Sequence, residues 1–293
     1  MSTKIEWADK TWNPITGCTP ISEGCQNCYA ERMSKRLAGR FGYPKDEPFK
    51  PGVVHEDKLY EPLKWRKPRR IFVSSMGDIF HEAVAKEALF EVFNTMASWA
   101  ISCRKKDCDH EEVECWHDPG HTYMILTKRP ENIQPAFERM FEFASHLSGE
   151  CALNVMRETD GWPLSNVWLG VTAENQRTAD ERIPILLQIP AAVRFVSVEP
   201  MLGPVDISPW MASGYLEPPH DDIINWVICG GETGPGARPM HREWALNLKN
   251  QCVDAGVPFF YKGWGDWYKK YTLRLDRLLD GREWNEYPES IGG

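Results

Sequence analysis

The chain has 293 residues, is 42% hydrophobic and carries a net charge of −8. That length and apolar content suffice for one α/β domain with its own core. The acidic balance argues against a generally adhesive nucleic-acid binder, although it leaves room for a local basic patch.

Met1-Ser2-Thr3-Lys4-Ile5-Glu6-Trp7 lacks the apolar run of a secretory signal. No later segment approaches the ~20 apolar residues of a membrane span. Nine cysteines without such a signal point to a reducing cytoplasm and to metal use rather than a disulfide framework.

Pro14-Ile15-Thr16 reads as the first strand. It leads into Gly17-Cys18-Thr19-Pro20-Ile21-Ser22-Glu23-Gly24-Cys25-Gln26-Asn27-Cys28, a loop with three cysteines separated by six and then two residues. Three thiols cannot all pair as disulfides. A structural zinc takes four ligands, and no fourth Cys or His lies near in sequence. Thiolates also hold iron–sulfur clusters, and a 4Fe–4S cluster on three cysteines leaves one iron open to a small molecule. Zinc or a sensing cluster is the alternative use of the same thiols.

A helix over about 29–40 follows, with Ala30, Met33 and Leu37 as its apolar stripe. Arg32, Arg36 and Arg40 form a basic face, either solvated or facing an anionic substrate. Residues 43–70 are Pro-rich and end in Lys64-Trp65-Arg66-Lys67-Pro68-Arg69-Arg70. Basic side chains beside an aromatic can hold phosphates and stack a base, so Arg66, Arg69 and Arg70 are candidate nucleic-acid contacts. A solvated lead-in to the next strand is the plainer reading.

Strand and helix patterns then alternate. Strands are expected at Ile71–Ser75, Tyr123–Thr127, Val167–Val171, Arg194–Val198, Trp226–Cys229 and Phe259–Lys262. Helices are expected over about 82–100, from Ile133 to Leu147, over Ile183–Ile189 with a break at Pro184, and over about 241–255. Apolar strands alternating with helices predict an α/β fold, a partial (β/α) barrel of six or seven mostly parallel strands. Residues 1–262 form that barrel, and the Trp- and Tyr-rich residues 263–293 a small C-terminal appendage. The segment 101–121 interrupts one connection with Cys103, Cys108, Cys115, His117 and His121. Three cysteines and one of the two histidines would make a structural zinc site. A polar loop with reduced cysteines is the alternative.

In such folds ligands bind at the carboxyl ends of the strands. Those ends carry Ser75 and Asp78, Lys128 and Arg129, Glu174, Glu199, Gly230-Gly231-Glu232, and Lys262. Six polar ends converging on one rim are what a polar active site needs. Cys229 could return a hydrogen atom there, or be a small buried apolar residue.

Cys18, Cys25 and Cys28, with Tyr29-Ala30 after them, resemble the cluster loop of radical S-adenosylmethionine (SAM) enzymes. More closely, Thr11-Trp12-Asn13-Pro14, the cysteine loop, Leu126-Thr127-Lys128-Arg129-Pro130, Ser197-Val198-Glu199-Pro200-Met201, Gly230-Gly231-Glu232 and Asp280-Gly281-Arg282-Glu283-Trp284 resemble a largely phage-encoded, uncharacterised family of radical-SAM-like proteins. Two features depart from the usual superfamily loop. The first gap is six residues, not three, and Asn27 stands where an aromatic is usual.

The resemblance implies a 4Fe–4S cluster on the three cysteines, with SAM bound at its open iron. A reductant such as flavodoxin or ferredoxin would supply an electron. SAM would be cleaved to methionine and a 5′-deoxyadenosyl radical, which abstracts hydrogen from substrate. By position, Ser75, Asp78, Glu174, Gly230 and Gly231 would contact the cofactor, and Lys128, Glu199 and Glu232 would serve catalysis. The substrate implied is a nucleic-acid base or nucleotide, undergoing modification or repair. The alternative is a non-enzymatic iron–sulfur or zinc protein that binds nucleic acid or a partner protein.

Overall fold

The computed structural model describes residues 5–101, 120–147, 163–211, 223–268 and 277–288. The apolar runs Thr122–Thr127 (β5), Val167–Thr172 (β6), Val193–Val198 (β7) and Trp226–Gly230 (β8) are buried almost throughout. Strands covered on both faces belong in a parallel sheet. They join Lys10–Trp12 (β1), Arg70–Val73 (β4) and Phe259–Gly263 (β9) in one seven-stranded parallel sheet, in the order β1-β4-β5-β6-β7-β8-β9, curled into a half-barrel. Helices Lys86–Ile101 (α2), Ile133–Ser145 (α3), Gln176–Leu187 (α4) and Arg242–Ala255 (α5) lie in the connections.

Alternation along each strand sorts the core into two parts. Tyr123, Ile125, Leu169, Val171, Val196 and Val198 face outward into the large cluster shared with the helices. Met124, Trp168, Phe195, Trp226 and Phe260 face inward and, with Trp7, fill the barrel's interior. The Trp7 ring lies 4.6 Å from Phe72 and meets Trp226 edge-on at 6.2 Å. This aromatic plug stops short of the strands' carboxyl ends, where the inward positions turn polar.

Four sequence expectations shift. Ile15–Thr16 (β2) is not the first barrel strand; it pairs antiparallel with Val53–Val54 (β3) in a separate ribbon, and β1 takes the edge beside β4. The helix after β4 starts at Lys86 rather than at about 82. Pro184 does not break α4. Asn175 and Thr178 form a capping box at its start, and Ile183 and Leu186 are buried, so packing outweighs the one backbone bond that Pro184 forfeits. The first helix is Tyr29–Leu37 (α1), shorter than the expected 29–40.

Beyond β9, the hairpin of Leu278–Leu279 (β10) and Arg282–Glu283 (β11) turns at Asp280-Gly281, both with positive φ. The Tyr261 N–H donates to the Trp284 carbonyl at 2.8 Å, so this segment covers the open edge of the half-barrel. Cys103, Cys108, Cys115 and His117 of the expected zinc insertion lie outside the described residues. His121 is described: it is buried, its ring against Trp65 and Tyr123.

Candidate functional site

The carboxyl ends of β4 to β8 and the cysteine loop enclose an open cavity of about 260 Å³. Cys18, Cys25 and Cys28 line one wall, all three free and partly buried. The strand ends that lead into the cavity continue the period-2 alternation of the strands. Lys128 follows inward-facing Leu126 by two residues, and Glu199, Glu232 and Lys262 stand likewise two past Ser197, Gly230 and Phe260. The inside of the barrel thus changes from carbon to charge within one layer.

Three side-chain clamps fix the loop onto this layer. In the first, Glu174 is fully buried. It accepts from Ser22 Oγ of the loop at 2.6 Å and Arg182 Nη1 at 2.9 Å, and it pairs with Lys128 Nζ. Burial alone would raise this carboxyl, but the Lys128 and Arg182 charges hold it down at about 2. Gly24 passes so close that a Cβ there would overlap the Glu174 carboxylate.

In the second, Glu232 accepts from Asn27 Nδ2 at 3.0 Å and from Arg238 through Nε at 2.9 Å and Nη2 at 2.5 Å. Arg238 Nη2 also donates to the Glu23 carbonyl at 3.0 Å. Burial works against the Glu232 charge, yet Arg238 and Asn27 keep its carboxyl below the usual range.

In the third, Arg129 is 3% exposed and donates to Cys18 Sγ at 3.2 Å, the Thr19 carbonyl at 2.9 Å and Thr19 Oγ1 at 2.8 Å. His81 Nδ1 accepts from the Ala83 N–H at 3.0 Å, so Nε2 carries the hydrogen and donates to Thr19 Oγ1 at 2.9 Å. Burial first, then the Arg129 charge, lowers the His81 pKa. The Cys18 thiol is pushed up to about 11 by burial and the Asp78 carboxylate, with Arg129 opposing. A metal must therefore displace a proton from Cys18 near neutral pH.

The expected site residues accordingly separate by use. Glu174 and Glu232 are occupied holding the loop. Asp78 lines the cavity, but its carboxylate already accepts from Thr127 Oγ1 at 2.9 and 2.8 Å and the Phe80 N–H at 3.0 Å. Ser75 donates to Asn13 Oδ1 at 3.1 Å. Glu199 pairs with Lys262 over Gly230 of the intervening strand β8. Gly230 and Gly231 do permit a close approach, but from within the chain: a Cβ at Gly231 would overlap the Trp264 carbonyl. Cys229 faces outward, fully buried, with its Sγ 3.8 Å from Met201 Sδ, so it is a core residue. Cys252 is buried in the same cluster.

Arg66, Arg69 and Arg70 lie at the amino end of β4, the opposite end of the sheet from the cavity. Arg70 is engaged by Asp9 at 3.3 Å and lies 4.0 Å from the Tyr287 ring centroid. Trp65 packs on the core, with the Lys10 ammonium 5.3 Å from its ring centroid.

Sequence reasoning placed Lys262 on the rim but missed Ser74, Arg182 and Arg238 as site residues. Lys262 ends an apolar strand, the same signal that marked Lys128. Arg182 and Arg238 sit mid-helix and mid-loop, where nothing local sets them apart.

Among the described residues, no three His, Cys, Asp or Glu side chains converge closely enough to hold one metal ion. A cubane asks less, because each of three irons takes one thiolate and the ligands stand farther apart. Three free thiols around one cavity wall, the first with a buried guanidinium on its sulfur, fit that donor set.

No helix among the described residues is long and apolar enough to cross a membrane. Comparison with curated proteins and with solved structures gives no match. A family model matches residues 2–102 and 112–288 and passes over the stretch that holds Cys103 and Cys108. The chain belongs to that family, described as a protein of unknown function, DUF5131.

Proposed function

We propose that the protein is a radical SAM enzyme whose 4Fe–4S cluster is held by Cys18, Cys25 and Cys28. The observation that carries this reading is the placing of all three thiols on one wall of a cavity at the carboxyl ends of a parallel half-barrel. When bound and reduced, the cluster supplies the electron that cleaves SAM for hydrogen abstraction.

The chain's own residues do the rest. Arg129 stabilises the Cys18 thiolate with a charged hydrogen bond. Glu174 and Glu232 hold the loop at its middle and at its end. The aromatic plug closes the barrel below and excludes water from that side. Among the described residues, the Glu199–Lys262 pair is the one set of opposite charges on the rim not engaged with the loop, which makes it the candidate for moving a proton to or from substrate. Cytoplasmic residence and a flavodoxin- or ferredoxin-type reductant belong to the same proposal, as does a nucleic-acid base or nucleotide as substrate.

The test is anaerobic purification, quantification of iron and sulfide, and EPR of the reduced protein with and without SAM. About four irons and four sulfides per chain, with a signal that changes on adding SAM and 5′-deoxyadenosine in the products, are expected. Zinc without iron, or a cluster indifferent to SAM, would move the three cysteines to a structural or sensing role.

A further inference from the structure

We infer that Ser74 is a substrate-binding residue, and that the group it receives is an uncharged planar heterocycle with a hydrogen-bonding edge, of nucleoside type. The inference rests on the reading of the cavity as a reaction site and names what that site takes.

Ser74 combines two unfavourable features on the cavity wall. Its φ is +54°, in the left-handed region that a residue with a Cβ avoids. It is 3% exposed, and its Oγ has no hydrogen-bond partner. A covered hydroxyl without a partner destabilises the fold unless something else satisfies it. The backbone is pinned on both sides: the Ser74 N–H donates to the Trp12 carbonyl at 2.7 Å, and the Ser74 carbonyl accepts from the Gly77 N–H at 2.9 Å. The surrounding structure over-determines a strained conformation at a cavity wall, which is the pattern of a binding residue.

A second hydroxyl repeats the feature. Ser197 is 1% exposed with an unpartnered Oγ, and it pairs in register with Thr172, which lines the cavity.

Charge decides the ligand class. Each charged residue lining the cavity already faces an opposite charge: Asp78 meets Arg129, Lys128 meets Glu174, Glu199 meets Lys262 and Glu232 meets Arg238. A substrate phosphate or carboxylate, unlike the SAM carboxylate that the open iron would take, would have to break one of these pairs. Neutral hydroxyls remain, beside Phe72 and Leu126 at the top of the apolar plug. A flat ring can lie on that apolar floor and offer its polar edge to Ser74.

The experiment titrates thymidine, cytidine and their 5′-monophosphates into the full-length protein. Cluster-free and cluster-loaded preparations are compared, with binding read by tryptophan fluorescence and thermal shift. Ser74→Ala and Ser74→Gly are measured alongside. At least one nucleoside is expected to bind, its monophosphate no more tightly. Both variants should weaken binding about tenfold, the worth of one hydrogen bond.

Ser74→Gly should also raise the Tm of the ligand-free protein, because glycine relieves the positive φ and removes the unpartnered hydroxyl. Unchanged nucleoside binding in the variants, or a Ser74→Gly protein that melts lower than wild type, overturns the inference. So does a monophosphate that binds far more tightly than its nucleoside. Iron and sulfide counts on the same samples separate the two readings. Normal cluster content without nucleoside binding sinks this inference alone, whereas nucleoside binding to a protein that takes up no iron sinks the cluster reading alone.

Discussion

Arg70 and Ser74 sit four residues apart at the two ends of β4, and they differ in how they are satisfied. Arg70, at the amino end, is held by Asp9 and stacked near Tyr287, and its backbone N–H donates to Asp9 Oδ2 at 2.8 Å. Ser74, at the carboxyl end, is strained and its hydroxyl has no partner. The basic run before β4 looked in sequence like the functional feature, yet there Arg70 is spent on closing the barrel's base. The serine was inconspicuous and carries the cost that a binding site carries. In this fold, function is to be sought where internal partners run out, not where charge is densest.

The contrast is broken most severely at Glu174, the most heavily committed carboxylate of the rim. Replacing Glu174 with Gln leaves Lys128 and Arg182 without their shared counter-charge at a fully buried position. Breaking such a pair costs about 3–5 kcal/mol, and loosening Ser22 should lower iron content in parallel. The carboxyl titrates near 2 in the fold, against an ordinary value of 4.5. Its contribution is therefore complete above about pH 4.5 and is lost as pH falls toward 2. Urea midpoints measured from pH 7 down to 3 should fall in wild type and fall less steeply in the variant. Parallel curves would show that Glu174 does not clamp the loop through its charge.

Arg129→Lys tests the clamp that touches a sulfur. Lysine keeps the charge but not the fork that reaches Cys18 and Thr19 together. Burial and Asp78 already push the Cys18 thiol up to about 11. Without the guanidinium it should rise further, so alkylation of Cys18 in the metal-free protein at pH 8, followed by mass spectrometry, should slow relative to Cys25 and Cys28. Labelling as fast as in wild type would reduce Arg129 to a brace for Thr19. The stability cost should be smaller than at Glu174, about 1–3 kcal/mol, the penalty for polar partners left unsatisfied.

The parallel half-barrel was legible because β5 to β8 are short apolar runs separated by helical periods. The cysteine loop was legible from spacing alone. The clamps were not, since each joins residues more than 100 positions apart, as Ser22 to Glu174 and Cys18 to Arg129 do. A sequence shows that Glu174 ends a strand, but not whether it faces a ligand or a loop. Ser74 escaped for a related reason: Ser75 beside it looks equally suited, and only the positive φ and the missing partner distinguish them. The first strand was misplaced because Ile15-Thr16 and Lys10-Thr11-Trp12 are both short, and edge position depends on pairing rather than pattern.

The smallest effect is expected at the other end of β4. Arg70→Ala removes a half-exposed ion pair, worth about 0–1 kcal/mol, and a ring contact worth about 0.5–1 kcal/mol. The variant should melt slightly below wild type, with unchanged iron content and unchanged nucleoside binding, because Arg70 lies at the amino end of β4 and does not line the cavity. Its affinity for single-stranded DNA should also match wild type at low and high salt, since a guanidinium already committed to Asp9 and Tyr287 is not available to release counterions from a phosphate. A shallower salt dependence in Arg70→Ala at an unaltered Tm would reverse this assignment. It would place a second, phosphate-reading surface at the base of the barrel, remote from the thiols, and the two ends of β4 would then both be functional.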